Sequence, residues 1–210
     1  MKETANRAFE EMRKVALARL KGRDPLEIAR NSGTIYLEET SSFRIPAFGR
    51  TLELSWPDCE FHPSTEGWLH LLILHYLDLA DGCPLSAQWL NFGSLKDGMI
   101  RGTKFDRDAE RDLSAFLKGK TPGEAKAALR TLGAEELEKP PARADLSVRI
   151  PFLPNYPVLV NIWFADDEFP ASGKLLVNGS ADHYLTIEDA VMAGTLVLEM
   201  LQPEGKRREI

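Results

Sequence analysis

The run "GWLHLLILHYLDLADG" constrains the fold more than any other part of the chain. It predicts a helix with Ser64 as cap and Gly82 as stop. Leucine, isoleucine and aromatic residues cover most of its circumference, so it must be enclosed by other elements. At about 100° per residue, Glu66, His70, Asp78 and Asp81 share one sector. His75 falls outside that sector, on the stripe of Trp68, Leu71, Leu72 and Leu79.

The chain has enough material for that cover. A protein of 210 residues buries roughly 70% of its unfolded surface and needs no disulfide or metal to fold. The hydrophobic fraction of 43% against a charged fraction of 28% is that of a globular domain, not a disordered one. One domain, 1–210, is expected. Residues 1–32 read as a helical segment, with Thr4 and Asp24-Pro25 as helix starts and Gly22 and Gly33 as stops. "TIYLEE", "SFRIP" and "RTLELSW" read as strands, the last two joined by a turn at Ala47-Phe48-Gly49. Two charged helices follow, one from Asp106 to Lys118 and one opened by the capping box Thr121-Pro122-Gly123-Glu124. Residues 135–145 read as an internal linker. "DLSVRIPFL", "YPVLVNIWFAD" and "SGKLLVNG" are the clearest strands. Thr186 then caps an apolar helix whose Ala190, Ala193 and Gly194 suit close packing on a sheet. This order predicts an α+β fold, an antiparallel or mixed sheet packed by a buried central helix and a buried C-terminal helix.

Charge and targeting exclude several classes. A net charge of −6 argues against nucleic acid, because phosphate contacts need concentrated Lys and Arg. The N-terminus has no apolar core of a signal peptide, and no run reaches the ~18 apolar residues of a membrane span. A cytoplasmic location follows, with Cys59 and Cys83 as thiols. Two cysteines do not supply the four thiolates of an iron–sulfur cluster.

Three groups of residues could carry chemistry. Asp166, Asp167 and Glu168 stand together in a long connection between two strands, where carboxylates can hold a hard cation or act as acid and base. Phe169-Pro170 would pack that loop down. Asp182 and His183 precede the N-terminus of the last helix, a place that attracts ligands. Cys59, His62, His75 and Cys83 are zinc-type ligands without zinc spacing. His75 alone, beside aromatic residues, suits the axial position of a metal-containing macrocycle. No phosphate-binding glycine loop, His-Glu-x-x-His motif or Gly-x-Ser-x-Gly elbow occurs.

Three stretches carry a family resemblance: "LILHYLDLADGCPLSAQWLNFGSL", "IPFLPNYPVLVNIWFADDEFPASGKLLVNGSADHYL" and "TIEDAVMAGTLVLEML". With their order and spacing, from about Asn31 to Leu201, the chain resembles domain-of-unknown-function family 3786, found mainly in anaerobic bacteria and archaea. The markers are Leu74-His75-Tyr76-Leu77, Leu153-Pro154 with Pro157, and Asp167-Glu168-Phe169-Pro170-Ala171. Some relatives are fused to ferredoxin-like modules, which implies a place near redox or corrinoid metabolism. The chain departs from the family pattern at Val177-Asn178, where the family has Phe-Asp, so no acid or metal role carries over to Asn178.

The expectation is therefore an accessory protein of anaerobic redox metabolism that binds a small ligand or metal cofactor. Its site would be one pocket between the central helix and the C-terminal sheet. Asp166, Asp167 and Glu168 would form one rim, and Asp182 and His183 the other. Trp89 and Trp163 would be its walls, with His75 and His183 as metal ligands. A metal or metal-containing macrocycle is the expected cofactor, and a small molecule or a redox protein the expected partner. The alternatives are a metal-assisted hydrolase or lyase using the acidic loop, and a protein-interaction module without a pocket.

Overall fold

The apolar run forms its helix at Trp68–Leu79, and Leu71, Leu72, Ile73, Leu74, Tyr76 and Leu77 along it are buried. The computed structural model describes residues 2–62 and 67–202. The expected cap Ser64 and the sector residue Glu66 lie outside them. In chain order the helices are α1 (Lys2–Leu20), α2 (Pro25–Ser32), α3 (Trp68–Leu79), α4 (Arg101–Leu117), α5 (Pro122–Arg130) and α6 (Ile187–Met200). The strands are β1 (Ile35–Leu37), β2 (Ser42–Ala47), β3 (Arg50–Ser55), β4 (Phe61–His62), β5 (Trp89–Leu90), β6 (Glu135–Glu136), β7 (Leu146–Leu153), β8 (Tyr156–Trp163) and β9 (Ser172–Asn178). The fold is α+β.

Local chemistry sets both ends of α2 and the start of α5 where the sequence predicts them, while α3 ends at Leu79, before the expected stop Gly82. Asp24 accepts from Leu26 N and Pro25 opens α2, while Gly33 closes it at φ +70°. Thr121 and Glu124 form the reciprocal capping box of α5. α4 starts five residues before the expected Asp106. The Asp106 carboxylate instead accepts from Phe92 N and Gly93 N, each at 2.9 Å, and so caps the preceding 3-10 turn, Phe92–Ser94. Gly102 makes the early start feasible, since a Cβ there would sit 2.2 Å from the Phe92 carbonyl oxygen.

The strands form two antiparallel sheets. The first is the meander β1-β2-β3-β4; the second has the order β5-β9-β8-β7-β6. The expected linker is partly structured, because Glu135 and Glu136 pair with Arg149 and Val148 on the edge of the second sheet. β5 comes from before that segment and joins the same sheet. The two sheets meet where Phe48 N donates to Pro151 O at 3.0 Å. There Gly49 and Gly133 nearly touch, and a Cβ on Gly49 would lie 2.9 Å from Gly133 Cα. One continuous apolar cluster runs from Ala16 to Leu201.

Gly194 was expected to bring α6 close onto a sheet. It instead seats α6 against α4 and the 3-10 turn. A Cβ at Gly194 would meet Phe105 Cζ at 2.5 Å and Phe92 Cζ at 3.0 Å. α3 and α4 thus flank α6, with α4 lying across β9 where Gly173 leaves room for Leu113.

Candidate functional site

The polar chemistry of the interior gathers on the seam between the C-terminal half of α3 and the segment 178–189. Tyr76 and Tyr184 stack with ring centroids 5.6 Å apart. The Tyr76 hydroxyl donates to Ser32 O and accepts from Asn155 N at 3.0 Å. The Tyr184 hydroxyl donates to Cys83 O. Burial raises both phenols, Tyr184 to about 12, so both stay protonated donors at neutral pH.

Two imidazole–carboxylate pairs lie along this seam. His75 Nδ1 on α3 is 2.9 Å from Asp189 Oδ1 on the first turn of α6. Asp189 is fixed in turn, its Oδ2 accepting from Thr186 Oγ1 at 2.9 Å. The His75 side chain is 21% exposed and that of Asp189 14%. The second pair is His183 Nδ1 with Asp81 Oδ2 at 2.7 Å, half-exposed just past the end of α3. The hydrogen bond from His183, helped by the Cys83 amide, holds the Asp81 carboxyl below the usual carboxylate range. Asp182 is occupied differently: its Oδ2 accepts from Lys96 N at 3.0 Å.

Asn178 does structural work here. Its Oδ1 accepts from Ser86 N, Ser180 N and Ser180 Oγ, and its Nδ2 donates to Ser86 O at 2.9 Å. A carboxylate could not make the last of these bonds. Beneath the seam the Tyr156 ring is buried, and among the described residues its hydroxyl has no partner. Burial, with the charges of Asp182 and Asp189, drives that phenol strongly upward.

The single pocket expected from the sequence is not assembled. Asp166, Asp167 and Glu168 follow β8, at the start of β9, while Asp182 and His183 follow its end. Seven residues of strand put roughly 20 Å between them. Trp163 pairs with Ser172 and Trp89 with Asn178, so the two indoles also stand at opposite ends of β9. Asp166 is an Asx-turn residue, its Oδ1 accepting from Glu168 N at 2.9 Å and Phe169 N at 2.7 Å. Those amides lower its carboxyl pKa. Phe169 does not anchor the loop, being 66% exposed.

The zinc-type quartet does not gather either. Among the described residues no three His, Cys, Asp or Glu side chains are placed to hold a metal ion. Cys59 and Cys83 are free thiols. His75 and His183 do share the seam, each on its own carboxylate. Sequence reasoning missed Asp189 and Asp81 as their partners, and missed Tyr156. The one local hint was Asp189 standing where a capping box has Glu or Gln.

A family model described as a domain of unknown function (DUF3786) matches residues 24–200. That is most of the chain, and the protein belongs to this family. No curated protein and no solved structure matches it.

Proposed function

We propose that the protein binds a metal-containing cofactor on the seam between α3 and α6, with His75 Nε2 as the protein's ligand to the metal, and that it serves as an accessory to anaerobic redox metabolism. The observation that carries this reading is the His75–Asp189 pair at 2.9 Å. A carboxylate on Nδ1 fixes the tautomer and orients Nε2 as a ligand, as around metal-bound histidines generally. Among the described residues Nε2 makes no hydrogen bond, and the imidazole is partly open to solvent. A lone oriented imidazole suits a metal whose other ligands come from a macrocycle. Trp68 and Leu79 lie on the same face of α3 as His75 and are 37% and 38% exposed, which offers an apolar surface to a flat ring.

The test is purification without exposure to air, followed by metal analysis and an absorption spectrum. A stoichiometric metal with an absorption band is expected. His75→Ala should lose both, and His183→Ala should keep both. A colourless, metal-free protein that takes up no metal-containing macrocycle overturns the reading. A second reading, an interaction module, is favoured by Met99 and Ile100, which are 79% and 85% exposed in the turn before α4. Its test is whether Met99→Ser with Ile100→Ser abolishes capture of a redox partner protein.

A further inference from the structure

The second sheet has another face. Along β8 and β9, Ile162, Gly173, Leu175 and Val177 alternate with Asn161, Trp163, Lys174 and Leu176. Gly173 abuts Leu113 of α4, so the first set faces the helices and the second faces away from them. On that far face a cavity of about 340 Å³ opens beside β5. Trp89 and Leu176 wall it from the far face, Leu90 borders it at the strand edge, and Pro141 and Ala142 of the loop after β6 also line it. Ala87, Gln88 and Asn161 complete the lining, and Asn161 is only 2% exposed.

Asn161 is anomalous in this position. The β8 residues Val158 to Ile162 are otherwise buried and apolar. Its Oδ1 accepts from Ser147 Oγ at 2.6 Å. Its Nδ2 has two N–H groups, and among the described residues neither has an acceptor. That nitrogen is not sealed off from solvent, so the cavity it lines is where it can meet an acceptor. No charged side chain lines the cavity. Its size is at the lower end for small-molecule sites, in which apolar walls and a few placed polar groups set specificity.

We infer that this cavity binds a neutral planar heterocycle bearing an exocyclic carbonyl. The ring stacks on Trp89, and the carbonyl oxygen accepts from Asn161 Nδ2. A neutral ligand fits a lining without charged side chains, and a saturated one gains less from an indole wall. The site lies on the opposite sheet face from α4 and does not depend on His75.

The experiment is an NMR titration of the ¹⁵N-labelled protein with nicotinamide and with uracil, using benzene as the ring without a carbonyl. The expected result is saturable movement of the Asn161 side-chain amide and the Trp89 indole resonances with at least one carbonyl ring. Asn161→Asp, which replaces the donor by an acceptor, should weaken that binding at least ten-fold. Ala142→Trp fills the cavity from an exposed loop, leaves the sheet intact, and should abolish binding. The inference is overturned if neither ring shifts these resonances, if benzene binds as tightly, or if Ala142→Trp binds like the wild type.

Discussion

His75 and Asp189 are 114 residues apart in the chain and 2.9 Å apart in space. Their contact ties α3 to the cap of α6, because the same carboxylate also holds Thr186. A hydrogen bond to a charged group is worth about 1.5–3 kcal/mol when both partners are largely buried, and this pair is mostly buried. Asp189→Ala should therefore lower the melting temperature by several degrees, at about 2–4 °C per kcal/mol for a chain of this size. His75→Ala should cost less, since Asp189 keeps Thr186. Calorimetry of the two variants checks the order, and equal losses would mean the imidazole, not the cap, dominates.

Asp81 gives a pH dependence. Its carboxyl is depressed in the folded protein by the hydrogen bond from His183. The folded state thus prefers the ionised form. The stabilisation is complete above the ordinary carboxylate range and disappears as pH falls through the lower folded value. The pair is half-exposed, so its worth is under about 1 kcal/mol. Wild type should exceed Asp81→Asn slightly in stability at pH 6, and the gap should shrink as pH falls below the ordinary carboxylate range. Urea unfolding above and below that range measures it. A gap that widens on acidification would refute the assignment.

The cysteines should differ sharply in reactivity. Cys59 is 1% exposed, and burial pushes its thiol up to about 11. At pH 8 only about one molecule in a thousand then carries the thiolate, the reactive form. Cys83 is partly exposed after α3. Iodoacetamide on the folded protein at pH 8 should label Cys83 and spare Cys59, and peptide mass mapping reads the result. Equal labelling would show that Cys59 is accessible in the native state.

Much of this fold could be read locally, and the candidate site mostly could not. Asp24, Thr121 and Thr186 cap helices through partners two or three residues away, so sequence spacing reveals them. Asp106 shows the limit. It has the look of a helix start, yet it serves a turn thirteen and fourteen residues back. The strand patterns were visible, but register between strands is a long-range property. It sets Trp163 beside Ser172 and Trp89 beside Asn178, and this separates two indoles expected in one pocket. The carboxylates that orient His75 and His183 come from other elements, and no spacing rule links residues more than a hundred positions apart.

The acidic loop should prove structural at Asp166. Its carboxylate holds the Glu168 and Phe169 amides, and those bonds keep its pKa low. Asp166→Ala should speed hydrogen exchange at these two amides. Asp167→Asn with Glu168→Gln should leave it unchanged. Protection in the wild type should persist until pH falls below the ordinary carboxylate range. Exchange that responds to the double variant instead would move the loop's role from Asp166 to its neighbours.

Two glycines separate close packing from chain entropy. Gly123 is in the first turn of α5 with open space around it; a Cβ would meet nothing nearer than 3.9 Å. Gly123→Ala removes backbone freedom from the unfolded chain and should add about 0.5–1 kcal/mol. Gly194 is in the middle of α6, where the same helix preference applies, but a Cβ would lie 2.5 and 2.7 Å from two atoms of the Phe105 ring. Phe105 is itself buried against Phe92, their ring centroids 4.6 Å apart, so it has little room to retreat. Overpacking of this kind costs about 1–3 kcal/mol, more than the entropy gain. Gly194→Ala should therefore destabilise while Gly123→Ala stabilises, with the melting temperatures moving in opposite directions. If both variants rise, α6 and α4 are looser than the Gly194–Phe105 contact requires.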